Sequence, residues 1–305
     1  MSNTKRVPGW QEVLAEFLLH KRAEGAADQT ILDYQKRVTH FFKEYPESWP
    51  DNLKPNIMAH MSEEIKPATY NLRLVYLRSF FNYCVENNII AENPLNGFKR
   101  RKTDIKFVNV ETDILRQILY LPNRKTFTGL RDYALMMLAL DVAIRPSEAL
   151  GLLPENINLK NLTVTVPAEI AKNRETRILP IKPQTAKAIK QLLDARPDDW
   201  YDAPVFCSQY GTKLNESSWY RRFKNYCRQV GLDLRAYDLR HISATEFLRG
   251  GGNMYSLKFM LGHSTLFMAD KYVHFVEADI REQHDKASVI NKLSPKKTCV
   301  RKIKK

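Results

Sequence analysis

The chain has 305 residues, 44% hydrophobic and 27% charged, a composition that excludes an intrinsically disordered protein and suits two domains of ordinary size. Its 48 Lys and Arg against 34 Asp and Glu leave a formal charge of +14, so polyanions are attracted; nucleic acid leads, because neutralising phosphates releases counterions, with an acidic membrane surface as competitor. The N-terminal stretch has no apolar core of signal-peptide length, no apolar run approaches membrane-spanning length, no amphipathic stretch has one solidly basic face, and the separated cysteines (Cys84, Cys207, Cys227 and Cys299) form no C-x-x-C pair; these features argue against a membrane span, a disulfide framework and a zinc site, and a cytoplasmic, nucleoid-associated protein is expected.

Trp10, Val13, Leu14, Phe17 and Leu18 recur at i, i+3, i+4, i+7 and i+8 and predict an amphipathic helix. Ile31, Tyr34, Val38, Phe41 and Phe42 predict a second one after the break at Gly25. Pro67 falls where a first helical turn accepts it, opening a helix to about Asn88 with Leu74, Leu77, Phe81 and Cys84 inward. Asn71, Arg78 and Asn82 share another face, either a solvated one or one lying along DNA, with Arg on phosphates and Asn on base edges. The bundle spans about residues 8–97, in a domain set at 1–98. The linker at 99–110 opens with Lys99, Arg100, Arg101 and Lys102: a solvated connector if taken alone, a groove-crossing strap if both flanking domains hold DNA.

A second domain is expected over 111–290. It is helical from Asp113, with a wholly buried helix from Leu130 to Leu140 that ends near Asp141. In Ala143-Ile144-Arg145-Pro146-Ser147-Glu148, Pro146 keeps Arg145 out of helical dihedrals and suits the next first turn, so Arg145 stands at a helix start, where anions are favoured. Leu162 to Val166 alternates as a half-buried strand, and Ile170 to Ile181 reads as strand, polar turn, strand, with Lys172 near the turn. A helix follows at Ser217–Val230.

The stretch from Tyr237 to Phe275 places two tyrosines, Arg240 and His263 among helix-forming apolar residues. Leu239, Ile242, Phe247 and Leu248 predict a helix that Gly250-Gly251-Gly252 ends. A shorter helix, Ser256 to Leu261, stops at Gly262-His263-Ser264, a C-cap followed by a fresh N-cap. Val276 to Leu293 reads as a helix, and the tail at 291–305 ends in a strongly basic run that screens or binds phosphate.

These residues resemble the second signature box of the tyrosine recombinases, or phage integrases: Asp238-Leu239-Arg240-His241, the Leu261-Gly262-His263 turn, and Tyr272 nine residues after His263. Arg145 with Glu148 resembles the first box, with Ala143 where the family carries Gly, and Tyr237 stands where it usually has His. The resemblance implies a mostly α fold with a small antiparallel β-sheet in the catalytic domain, preceded by a helical core-binding (SAM-like) domain. It implies a site of Arg145, Lys172, Tyr237, Arg240, His263 and the nucleophile Tyr272, with Lys172 in a β-hairpin before Arg177. Glu148 is expected to support an arginine by an ion pair, and His241 to be structural. It further implies a clamp of two domains closing on DNA, a homotetramer with two protomers per site, and a terminal segment that docks on a neighbour.

The chemistry follows from the residue types. Two arginines can each fork two N–H groups onto a phosphodiester, with a charge independent of pH, and His263 can add a further donor. No acidic cluster has metal spacing and no Gly-rich loop ends in Lys-Ser or Lys-Thr, so neither a metal nor another cofactor is expected. A phenol has an ordinary pKa of about 10, so Tyr272 needs a base or a strongly positive field to attack phosphorus, and Lys172 is the candidate proton donor to the leaving oxygen. Tyr237 can donate but is a poor proton acceptor, which assigns it to positioning or phosphate stabilisation. A site-specific recombinase is expected, for integration, excision or resolution of a mobile element. Two alternatives stay open: a sequence-specific DNA-binding protein with impaired catalysis, and an enzyme resembling a type IB topoisomerase.

Overall fold

A computed structural model describes residues 8–103, 110–263, 265, 284 and 290–293. Two compact units divide at Ile105, each with its own apolar core. Among the described residues no helix is long and apolar enough to cross a membrane. Cys84, Cys207 and Cys227 are buried free thiols.

The N-terminal unit is helical: α1 (Trp10–Ala23), α2 (Asp28–Glu44), α3 (Leu53–Ser62) and α4 (Pro67–Glu86). The α1 stripe buries Val13, Leu14 and Phe17, and Gly25 at φ 78° turns the chain where a residue with a Cβ would be strained. Pro67 occupies the first turn of α4, where its missing N–H costs nothing. Helix α4 runs through the core and buries Tyr70, Leu74, Leu77, Phe80, Phe81 and Cys84, while Trp10 stacks on Phe42 with ring centroids 4.8 Å apart. Each such aromatic side chain, withdrawn from water, contributes about 1.5–3 kcal/mol before the entropic cost of ordering is counted.

The second unit is built on α6 (Phe127–Val142), preceded by α5 (Thr112–Tyr120) and followed by the single turn α7 (Pro146–Ala149). Strands β1 (Ile157–Asn158), β2 (Thr163–Val166) and β3 (Arg177–Pro180) form an antiparallel sheet in that order, with Val166 opposite Arg177. Helices α8 (Pro183–Asp194) and α10 (Asp238–Arg249) pack on α6; α9 (Glu216–Gln229) and α11 (Met254–Leu261) complete the unit, and a short helical piece is formed by Ile290–Leu293. Buried Asp132 ties α6 to α9: one oxygen accepts from Arg131 and the other from Arg222 Nε at 2.6 Å and the Tyr226 hydroxyl at 2.8 Å. The protein is mostly α with a small antiparallel sheet, as its sequence implies.

One local expectation is corrected. Ile170 to Lys172 is not a strand, and β3 pairs instead with β2. The segment between them folds into successive turns: the N–H groups of Ile170 and Ala171 both donate to the Pro167 carbonyl, at 3.2 and 3.0 Å. Lys172 therefore sits in a ten-residue-scale connection, not at a tight hairpin tip.

Candidate active site

Helix α6 ends in Ala143, which is left-handed at φ 52° and ψ 30°, so the chain reverses at once into extended Arg145. Pro146 starts α7, and Glu148 reaches back from its third position. Its Oε2 accepts the Arg145 backbone N–H at 3.2 Å and its Oε1 accepts Arg145 Nη1 at 2.8 Å. The second arm of the guanidinium, Nη2, donates to the Gly262 carbonyl at 3.2 Å.

Arg240 lies in the first turn of α10 and is 1% exposed. Its Nη1 donates to the Ala143 carbonyl and its Nη2 to the Leu261 carbonyl, both at 2.7 Å, and Nη2 lies 3.2 Å from His263 Nε2. Charge-assisted bonds of this kind are worth about 1.5–3 kcal/mol each, which offsets part of the cost of burying the cation. Gly262 caps α11 at φ 57° and ψ 49°, and this left-handed turn presents the Leu261 carbonyl to Arg240 and the Gly262 carbonyl to Arg145. Arg145, Arg240 and His263 are thus brought together by one three-residue turn.

Glu148 also meets β3. Its Oε2 accepts Arg177 Nη2 at 2.5 Å, and its Oε1 accepts the Lys172 backbone N–H at 3.3 Å and Arg177 Nη1 at 3.4 Å. Burial by itself would push the Glu148 carboxyl up; the guanidiniums of Arg177 and Arg145 more than offset this and hold it below the ordinary carboxylate range. The expected ion pair is therefore a bridge between two arginines. Arg177 as its second partner was not foreseen, although a signal exists: Arg177 and Leu179 occupy the same inward-facing register of β3.

Lys172 is joined to this centre through its backbone, and its side chain is exposed. Tyr237 immediately precedes α10, with its ring 5.0 Å from that of His241 and 6.0 Å from the Arg240 guanidinium carbon. His241 is half-buried on the same helix. Tyr272, the Ser264 cap, most of the helix expected at 276–293 and the basic run at its end lie outside the described residues.

In the N-terminal unit, the residues expected along DNA hold the start of the connector. Asn71 exchanges two 2.8 Å hydrogen bonds with the backbone of Arg101, Arg78 Nη2 donates to the carbonyls of Leu95 and Phe98, and Asn82 accepts from Asn93. The Arg101 guanidinium lies 3.8 Å over the Tyr70 ring. Lys99, Arg100 and Lys102 stay exposed, and Lys21, Arg78, Asn82 and Arg100 line an open depression of about 410 Å³.

Among the described residues, Glu44, His60 and Glu63 of this unit place potential metal-binding atoms within 4.8 Å of one another. His60 Nδ1 is 3.0 Å from Glu44 and 3.2 Å from Glu63, whose other oxygen accepts from Arg73 at 2.8 Å. Burial, then the Arg73 charge, push the imidazole below its ordinary value, against the opposing pull of Glu63 and Glu44. The set reads as a polar tie between α2 and α3, in which His60 alone is buried.

Comparison with known proteins gives the class first. The fold is that of integrases of the tyrosine recombinase type: the Tn1549 transposon integrase in complex with transposon right end DNA superposes with a TM-score of 0.70 at 17% identity, covering 85% of this chain and 94% of that one. The lambda integrase tetramer bound to a Holliday junction gives 0.66 at 16% identity over 87% and 83%. In sequence, the tyrosine recombinase XerC of Pelobacter propionicus is 26% identical over 290 residues, 90% of this chain and 95% of its own. The phage integrase family profile matches residues 109–278, more than half of the chain. The chain belongs to the phage integrase family.

Proposed function

We propose that this protein is a site-specific DNA recombinase that cuts and rejoins strands through a 3′-phosphotyrosine on Tyr272. The observation that carries the reading is the meeting of Arg145, Arg240 and His263 at the Leu261-Gly262-His263 turn, a fixed cluster of donors suited to a phosphodiester. The Tyr272 phenol loses its proton to solvent in the positive field of the arginines, its oxygen forms a bond to phosphorus, the bond to the 5′-oxygen breaks, and Lys172 gives that oxygen its proton. The two arginines and His263 take up the charge that grows on the non-bridging oxygens, and Tyr237 steadies Arg240 or the phosphate. The reverse reaction, with another strand's 5′-hydroxyl, reseals the backbone. Because the covalent link conserves the phosphodiester energy, the reaction needs neither ATP nor a metal ion, and chelator leaves its rate unchanged.

The N-terminal unit adds contacts to double-stranded DNA through Lys99, Arg100, Arg101 and Lys102, with Asn71, Arg78 and Asn82 behind them, and a homotetramer with two protomers per site carries out the exchange. The relatives support this reading in kind: one is named a tyrosine recombinase, and two solved integrases are bound to DNA. We extend it to integration, excision or resolution of a mobile element, tested by recovering junctions between two copies of the bound site on one plasmid. The central test is incubation with a nicked suicide duplex bearing the site that the protein selects from a randomised duplex pool. A covalent protein–DNA adduct is expected from wild type and none from Tyr272→Phe. Binding with no adduct from wild type leaves a DNA-binding protein, and relaxation of arbitrary plasmids by a monomer indicates a topoisomerase.

A further inference from the structure

We propose that Arg177 is a positioning residue of the reaction, locking the Glu148–Arg145 pair and the Leu261-Gly262-His263 turn into one register from strand β3. The inference rests on the reading of Arg145 as a phosphate ligand. Arg177 is 4% exposed and its guanidinium is spent on protein groups. Nη2 donates to Glu148 Oε2 at 2.5 Å, and Nε donates to the Met260 carbonyl at 3.3 Å in the last turn of α11. The same guanidinium packs against Gly262, where an added Cβ would lie 3.2 Å from Nη1. One side chain therefore touches the carboxylate that orients Arg145 and the helix end that orients Arg240 and His263. It also belongs to the strand that follows the Lys172 connection, whose backbone N–H shares Glu148 Oε1.

Charge gives the arrangement its purpose. Glu148 carries one negative charge against two guanidiniums, so the trio keeps a net positive charge and Arg145 is not neutralised when a phosphate arrives. Without Arg177, Glu148 and Arg145 would close into a neutral pair, and a buried carboxyl with one cationic partner fewer would protonate more readily. A lysine could keep the charge, but its single nitrogen lacks the separated Nε and Nη2 donors with which Arg177 reaches the Met260 carbonyl and the carboxylate.

The test uses the full chain as wild type, Arg177→Met and Arg177→Lys, with the nicked duplex described above at saturating concentration. Single-turnover adduct formation is followed from mildly acidic to mildly alkaline pH, with DNA affinity and thermal midpoint measured alongside. The expected result for Arg177→Met is unchanged DNA affinity, a rate lower by on the order of 10²-fold, and an acidic limb that begins at higher pH than in wild type. Arg177→Lys restores the wild-type pH profile with an intermediate rate. A rate and pH profile in Arg177→Met that match wild type overturn the inference, as does a loss of rate with no change in the profile, which marks a merely structural role. Should Arg177→Met fail to fold, Arg177→Lys decides, and a wild-type rate from it overturns the inference. If wild type forms no adduct, the recombinase reading fails and takes the inference with it; an adduct from wild type with no effect at position 177 removes the inference alone.

Discussion

Gly262 sets its carbonyl oxygen 3.2 Å from Nη2 of Arg145, 117 residues earlier in the chain, and a left-handed φ of 57° lets it do so. The same turn gives the preceding carbonyl, that of Leu261, to Arg240 at 2.7 Å. Two guanidiniums are aimed by backbone oxygens, which are neutral, do not titrate and move only if the turn moves.

Gly262→Ala therefore strains the site at its pivot. The left-handed conformation costs an L-residue about 1–2 kcal/mol, and the added methyl would lie 3.2 Å from Arg177 Nη1. The thermal midpoint is expected to fall by several degrees. Single-turnover adduct formation is expected to drop on the order of 10²-fold, because the misplacement falls on the groups that face the phosphate. Calorimetry and a quenched time course on the same preparation check both.

Ala143 makes the opposite case. It is fully buried and left-handed at φ 52°, where the family carries Gly, and its carbonyl accepts from Arg240. Ala143→Gly removes the strain but frees the unfolded chain, so stability is expected to stay within about 1 kcal/mol of wild type. Ala143→Val adds about 1–3 kcal/mol of overpacking and β-branched strain. Urea denaturation distinguishes the two, and only Ala143→Val is expected to lower cleavage.

His60 predicts a pH dependence of stability in the N-terminal unit. Burial and Arg73 lower its folded pKa, so between that value and the unfolded one of about 6.5 the unfolded chain binds more protons and stability falls as pH falls. The Glu63 carboxyl is held low by Arg73 and His60 against the opposing effect of burial, and its contribution is lost further down in pH. His60→Gln is expected to flatten the upper part of this slope, measured as denaturation midpoints on either side of the imidazole range.

Asn71 holds the connector by two hydrogen bonds to the Arg101 backbone. Asn71→Ala removes both, and exposed Lys99, Arg100 and Lys102 are then expected to become faster sites for trypsin under native conditions. Stability is expected to change by about 1–2 kcal/mol, since two modest bonds at an exposed position are lost. Limited digestion with N-terminal sequencing of the fragments reads the outcome, and an unchanged cleavage rate means that the connector is held by Arg78 and by Arg101 on Tyr70.

The helices were legible because their signals are local. Val13 with Phe17, and Leu74 with Leu77 and Phe81, repeat at helical spacing; Pro67 opens a helix and Gly262 closes one. Ile170-Ala171 misled because a short apolar pair fits strand and turn equally, and only the bonds to the Pro167 carbonyl decide between them. The arginines could be placed from their motifs, but not what holds them: the acceptors at Ala143, Leu261 and Gly262 are backbone oxygens, which every residue owns. Arg177 could be named as the arginine five residues after Lys172, but its pairing with Glu148 could not be read, because that carboxylate lies 29 residues away in another element. Asn71 and Arg78 show the limit of a polar stripe, since a helix face that could lie along DNA looks the same as one that fastens its own chain.

The dependence on the Leu261-Gly262 carbonyls bears on incomplete copies of this protein. A chain that ends before Leu261 still carries Arg145 and Arg240, and 38 of the 48 Lys and Arg residues, but has lost two of the oxygens that aim those arginines. Such a nascent or proteolysed product would cling to nucleic acid without being able to nick it.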